Sequence, residues 1–204
     1  MVVNNCLCGN KGLYRVEHGF LCKICYLRHI EEKFFKFVSK NKLINYGKKY
    51  TFVYDLNAYD VELVFLEKMF AKFEIGDLKI HRVILTEYSK NDFESLAKEL
   101  KGQVIIMPNT VDCDCVLALK TLVEDKKFDG CFLPKFFIGK TEFVKPFHAF
   151  KTEELEQYSR IKKIPFKILS VKEKKYNKAI ELLDSKYFIK RSFLSSVQNL
   201  STKK

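Results

Sequence analysis

The feature that most constrains the fold is an alternation of strand and helix patterns over residues 50–161. Short apolar runs predict extended segments around residues 50–54, 82–85, 103–107, 131–133 and 142–144. Between and after them, apolar side chains at helical spacing predict helices around 58–73, 93–100, 115–122, 155–161 and 172–199. Because strands that alternate with crossover helices form parallel sheets, the sequence predicts an α/β fold with a parallel sheet.

Four cysteines upstream of this alternation form two close pairs. Cys6 and Cys8 make the first pair, and Cys22 and Cys25 make the second, with thirteen residues between the pairs. Two cysteine pairs separated by a hairpin-length loop are typical of a tetrahedral zinc site with four thiolate ligands. We therefore predict that these four cysteines hold a zinc ion.

The cysteine pattern leaves two alternatives. The Cys-x-Cys pair is tighter than the usual Cys-x2-Cys, so His18 or His29 could replace one cysteine as a ligand. The four cysteines could also be buried thiols or disulfides. The chain has seven cysteines, an odd number, and no leading apolar run that resembles a signal peptide. It also has no apolar stretch of about 20 residues that could span a membrane. We expect a cytoplasmic protein without disulfides.

The net charge of the chain favours a nucleic-acid partner. Lys and Arg number 37 against 25 Asp and Glu, which gives a formal charge of +12. Phosphate contacts made by such a protein contribute affinity through counterion release. The alternative is that the basic composition reflects only solubility or biased codon use.

The loop after the first predicted strand lacks the residues that bind phosphate. A nucleotide-binding α/β sheet brings backbone amides, usually of glycine, close to a phosphate at this position. Here the loop reads Asp-Leu-Asn-Ala-Tyr-Asp over residues 55–60 and contains no Gly, Lys, Ser or Thr. The sequence thus indicates a nucleotide-binding architecture without its phosphate loop.

Several stretches, in order, resemble one known family. Residues 22–49 contain Cys-x2-Cys-Tyr, Lys-Phe-Phe-Lys-Phe and Gly-Lys-Lys, as in the N-terminal region of cytoplasmic tRNA 2-thiolation protein 2. Residues 39–44 resemble that family's Gly-Lys-Asn-Arg-Leu-Ile, and residues 113–122 resemble its Cys-Thr-Arg-x-Ala-x-Lys helix. Residues 144–158 are similar to its Val-Arg-Pro-Met segment and the helix that follows.

The resemblance implies a role beside an enzyme. That family is the non-catalytic partner of a thiouridylase with an ATP-pyrophosphatase (adenine nucleotide alpha hydrolase-like) fold. The pair thiolates the wobble uridine of tRNAs with sulfur from a ubiquitin-like carrier. The family keeps a degraded Ser-Gly-Gly phosphate loop, which this chain lacks. The resemblance thus implies a pseudoenzyme that forms a heterodimer with the catalytic subunit, binds tRNA and meets the carrier through the complex.

This interpretation divides the chain into a zinc module with a basic helix, residues 1–47, and a degenerate ATP-pyrophosphatase-like domain, residues 48–204. The lysines expected to contact tRNA phosphates are Lys33, Lys36, Lys40, Lys42, Lys48 and Lys49. The first three lie off the apolar stripe of their helix, so we expect them to be exposed. The alternatives are a free-standing zinc-dependent RNA-binding module and an active sulfurtransferase.

Cysteines 113, 115 and 131 raise the possibility of an iron–sulfur site. Residues two apart on a helix point about 200° apart, so Cys113 and Cys115 are not expected to share a metal. We predict that these three residues are structural thiols.

Overall fold

A short hairpin and a long helix precede the central sheet. The computed structural model describes residues 5–16, 19–55, 60–83, 90–123 and 131–165, with Lys178, Phe193, Leu194 and Ser196. Strand β1 (Tyr14–Val16) pairs antiparallel with β2 (Gly19–Leu21), and α1 (Lys23–Lys40) follows at once. None of the described helices is both long and apolar enough to cross a membrane.

The predicted alternation forms a five-stranded sheet. Its strands are β3 (Tyr50–Asp55), β4 (Leu78–Val83), β5 (Val104–Ile106), β6 (Lys135–Ile138) and β7 (Thr141–Val144). The helices are α2 (Asp60–Phe73), α3 (Lys90–Glu99), α4 (Val111–Val123) and α5 (Thr152–Lys162). The strand order is β4-β3-β5-β7-β6, and the pairs β3–β4, β3–β5 and β5–β7 are parallel. This arrangement confirms the predicted α/β fold.

The sheet differs from the prediction at one edge. Strand β6 runs antiparallel to β7, because a tight turn at Gly139, with φ of +59°, returns the chain directly into the neighbouring strand. The extended segment expected at residues 131–133 is a turn instead, and β6 begins only after Pro134, which cannot donate a hydrogen bond to a ladder. The helix expected over residues 172–199 lies almost wholly outside the described residues.

Hydrophobic side chains cover both faces of the sheet. Phe52 in β3 faces a cluster built from α1, α2 and α5, whereas its neighbour Val53 faces a cluster that includes α3. Phe34 of α1 lies in the first cluster, with its ring centroid 5.4 Å from that of Phe65 and 5.2 Å from that of Phe147. The predicted boundary between residues 47 and 48 lies in the loop from α1 to β3, and hydrophobic packing continues across it.

Candidate metal centre

The four N-terminal cysteines converge at the start of α1. Their Sγ atoms all lie within 4.8 Å of one another, and the Sγ atoms of Cys8 and Cys22 are 3.6 Å apart. Cys6 and Cys22 are buried, Cys25 is half-buried and Cys8 is exposed. None of the seven cysteines, all of which the structure describes, forms a disulfide. The structure therefore assembles the predicted ligand set.

A tight turn brings the first pair into place. The Cys6 amide donates to the Asn10 carbonyl at 2.9 Å, and the Gly9 amide donates to the Cys6 carbonyl at 2.8 Å. Gly9 has a φ of +85°, a left-handed conformation that glycine adopts without steric cost. The turn folds Cys8 back towards Cys22. Cys22 and Cys25 need no such turn, because residues three apart at the start of a helix lie on one face.

Backbone amides stabilise negative charge on three of the sulfurs. The N–H groups of Cys8 and Cys22 lower the pKa of Cys6, and the Asn10 N–H lowers the pKa of Cys8. The Cys25 N–H lowers the pKa of Cys22. Hydrogen bonding to the other three sulfurs, that of Cys8 above all, raises the pKa of Cys25 to about 12. A bound cation would favour the thiolate form of all four residues.

The spacing of the sulfurs fits a single metal ion. A metal–sulfur bond of about 2.3 Å in a regular tetrahedron places the sulfurs about 3.8 Å apart. The observed separations, 3.6 Å for one pair and no more than 4.8 Å for any pair, agree with this value. A [4Fe–4S] cluster places four irons and bridging sulfides between its thiolates and holds them farther apart. Tetrahedral thiolate sites are typical of zinc or iron.

Of the two histidine alternatives, the structure describes only His29. His18 lies outside the described residues. His29 lies in α1, beyond the cysteine-bearing turn, and is not among the four grouped ligands. The four grouped cysteines match in number the ligands of a tetrahedral shell.

The other cysteines lie in different surroundings. Cys115 is fully buried in an apolar cluster with Val111 and Phe132. The Thr110 hydroxyl donates to Cys113 Sγ at 3.4 Å, and burial raises the pKa of Cys113 to about 11. Within the described ranges, no group of three or more potential ligands other than the N-terminal four comes together. This arrangement agrees with structural roles for these thiols.

A buried ionic cluster, which the sequence did not reveal, lies beyond the carboxyl ends of β5 and β7. Asp114 is fully buried and lies 2.6 Å from Lys145 Nζ through one oxygen and 2.6 Å from His148 Nδ1 through the other. Asn109 Nδ2 donates to the same carboxylate at 3.1 Å, and Lys145 also donates to the Cys131 carbonyl. Although burial opposes ionisation, Lys145 and His148 together lower the pKa of Asp114.

The lysines predicted to contact RNA lie in different environments. Lys36 and Lys40 are exposed, as expected. Lys33 is not: its side chain is 17% exposed, and its ammonium lies 2.5 Å from Glu154 of α5 and above the Phe150 ring. The expectation of exposure is therefore wrong for Lys33, because α5 covers that flank of α1.

The remaining predicted lysines lie in the loop before β3. Lys42 and Lys49 are exposed. Lys48 Nζ lies 2.5 Å from Glu142 of β7, which also accepts an ion pair from Lys135 at 2.5 Å. No contact with RNA is visible in a structure of the chain alone, so these assignments stay predictions.

Comparison with known proteins supports the fold. No protein-family model and no curated protein matches the sequence. Among solved structures, the chain is similar to the U34-tRNA thiolase NcsA from Methanococcus maripaludis with its [4Fe-4S] cluster. The TM-score is 0.75 at 13% sequence identity, and the match covers 99% of this chain and 88% of that one. The chain therefore has the ATP-pyrophosphatase-like α/β fold of NcsA. Near its own N-terminus, this chain also carries the four-cysteine cluster described above.

Proposed function

We propose that the chain is a non-catalytic subunit of a complex that 2-thiolates the wobble uridine of tRNA. In this role it binds tRNA and forms a heterodimer with the catalytic thiouridylase subunit, for which it serves as a scaffold. A ubiquitin-like carrier brings the sulfur to the complex. One observation carries the proposal: a fold like that of a U34-tRNA thiolase over 99% of the chain is combined with a first strand–helix loop that contains no glycine.

Two features of the chain argue against independent catalysis. Activation of uridine by ATP requires a cradle of backbone amides for the phosphates, and residues 55–60 instead include two aspartates. Sulfur transfer requires a thiolate, and outside the N-terminal cluster burial raises the pKa of Cys113 to about 11, which keeps this thiol protonated near neutral pH. An active sulfurtransferase is therefore the weaker alternative.

The cysteine cluster would serve as a structural zinc site. Zinc favours closed tetrahedral thiolate shells, and the four sulfurs have the spacing of such a shell. The ion would tie the turn around Cys6 to the start of α1. Because α1 also carries exposed lysines, the zinc site would fix the position of a basic surface for tRNA.

The proposal predicts that the chain alone does not bind ATP. Titration calorimetry with ATP and magnesium should give no heat of binding at micromolar concentrations, because residues 55–60 contain no glycine to bring backbone amides close to a phosphate and include two aspartates instead. A catalytic thiouridylase with an intact Ser-Gly-Gly-x-Asp-Ser loop is the matched positive control. Micromolar ATP binding that disappears when residues 55–60 are replaced would contradict the pseudoenzyme assignment.

The central prediction concerns tRNA in cells. Depletion of this protein should strongly reduce 2-thiouridine at the wobble position, measured by mass spectrometry of tRNA nucleosides, because the catalytic subunit would lack its partner. Re-expression of the wild-type chain is the control and should restore the modification. The tagged chain should also co-purify with a second chain that carries the intact phosphate loop. Unchanged thiouridine after full depletion would favour the free-standing zinc-dependent RNA-binding module.

A further inference from the structure

A groove of about 530 Å³ lies along one flank of α1. Successive turns of the helix form one wall, with His29, Glu32, Lys33, Lys36, Phe37 and Lys40. The opposite wall includes His148, in the loop after β7, and Val111, the first residue of α4. The groove therefore lies beyond the carboxyl ends of β5 and β7, which is where open α/β sheets bind their ligands.

Positive charge predominates in this groove. Glu32 is the one carboxylate among its lining residues, against three lysines and two histidines. Lys33 is neutralised by Glu154. Lys36 Nζ approaches Glu32 only to 3.9 Å, and its side chain is 81% exposed. Lys40 is exposed and makes no ion pair with any part of the chain that the structure describes. Two lysines are thus available to an anionic ligand.

The buried ionic cluster holds the His148 ring in a fixed orientation. Its Nδ1 lies 2.6 Å from Asp114, whose other oxygen is taken by Lys145. The ring stacks on Phe37 of α1, at a centroid distance of 6.1 Å and an interplanar angle of 21°. Nε2 makes no hydrogen bond within the described residues. His148 lines the groove, and 11% of its side chain is exposed, so the support on Nδ1 leaves part of the ring open to a ligand.

We propose that this groove binds the phosphodiester backbone of single-stranded RNA. Lys36 and Lys40 would neutralise phosphates, and His148, as the imidazolium that donates from Nδ1 to Asp114, would donate a second hydrogen bond from Nε2 to a phosphate oxygen. This inference rests on the proposed function and assigns its RNA-contacting site. A strand suits the groove better than a mononucleotide, because the two lysines are four residues apart and thus about 6 Å apart along the helix axis.

The lysine test uses the full chain and a fluorescent oligoribonucleotide with the sequence of a tRNA anticodon loop. Each phosphate contact with a single strand contributes about 0.7 to the slope of log K against log salt, which corresponds to about fivefold in affinity at 0.1 M salt. Lys36→Ala with Lys40→Ala should therefore weaken binding about 25-fold and lower the slope by about 1.4. The matched control is Lys98→Ala with Lys101→Ala, two exposed lysines near the α3 end of the molecule, and it should change affinity far less.

The histidine test separates binding from stability. Asn at position 148 can replace the Nδ1 donor to Asp114 but has no group at the position of Nε2, whereas Gln extends towards Nε2 and loses the Nδ1 contact. His148→Asn should weaken RNA binding about tenfold with little change in the urea midpoint, because it removes one hydrogen bond to a charged group and keeps the contact with Asp114. His148→Gln should retain RNA affinity and lower the midpoint.

Three results would overturn the proposal. The first is unchanged RNA affinity in the double-lysine variant. The second is that, between the two His148 variants, the one with the lower urea midpoint also has the lower RNA affinity. The third is competition by AMP or inorganic phosphate as strong as that by RNA, which would assign the groove to a free phosphate ligand. Any of these results together with normal co-purification of the catalytic subunit would reject the groove while the thiolation role stands. The proposed function itself would be rejected if the chain did not co-purify with the catalytic subunit and if its depletion left the thiouridine level unchanged.

Discussion

Replacement of Cys22 by Ser is expected to abolish metal binding and to unfold the N-terminal module. The wild-type chain should carry about one zinc ion, because four thiolates close a structural shell. Metal binding in such sites contributes about 10–16 kcal/mol of apparent free energy, which in small modules is also folding free energy. Cys22 joins the turn around Cys6 to α1, so its loss should disorder the β1–β2 hairpin and the first turn of the helix.

Elemental analysis for zinc and iron, on protein prepared without chelators, measures the metal directly. Hydrogen exchange of residues 5–30 reports the loss of structure. Cys113→Ser is the matched control, since it makes the same thiol-to-hydroxyl change outside the cluster and should leave the metal content unchanged. His29→Ala should also retain zinc, because His29 is not among the grouped ligands. Iron in place of zinc, or full zinc in the Cys22→Ser protein, would contradict the assignment.

Local patterns in the sequence were sufficient to predict the main elements of the fold. Apolar runs and helical spacing are properties of neighbouring residues, so β3, α2, β5 and α4 could be placed before their partners were known. The two cysteine pairs could be recognised as candidate metal ligands for the same reason, because the spacing within each pair is a local property of the sequence. The direction of β6 was missed, although Gly139 and Lys140 between two apolar runs match a two-residue hairpin loop with glycine first.

Features that depend on distant packing could not be predicted. Asp114 meets Lys145 and His148 across 31 and 34 residues of sequence, and only the parallel alignment of β5 with β7 brings them together. Lys33 is similar, because helical spacing places it off the apolar stripe but does not reveal that Glu154, 121 residues later, covers it. A lysine within the apolar run of residues 143–150 was the one available signal for the buried cluster.

Removal of the charge at Lys145 should destabilise the fold by about 3–5 kcal/mol, the usual cost of breaking a buried ion pair by deleting one partner. Lys145→Met retains the length of the side chain but leaves the Asp114 carboxylate with His148 and Asn109 alone. The free energy of unfolding from urea titrations at neutral pH measures the loss. Lys135→Met is the matched control, since that lysine is half-buried and its partner Glu142 keeps Lys48. A loss below about 1 kcal/mol would show that the pair is not the buried contact described here.

The buried cluster around Asp114 should also make the free energy of unfolding depend on pH in the acidic range. The folded-state pKa of Asp114 is lower than its ordinary value of 3.8, so the folded state binds its proton less readily than the unfolded chain. The contribution of the carboxylate to stability is therefore fully present above about pH 4 and declines as the pH falls through the folded-state pKa. Asp114→Asn should remove this component, and its unfolding free energy should depend less on pH below about pH 4 than that of the wild type.

Asp114→Asn also leaves Lys145 buried beside a neutral amide, so its stability at neutral pH should fall by an amount similar to that in Lys145→Met. Parallel pH profiles for the wild type and Asp114→Asn would mean that other carboxylates account for the acid sensitivity.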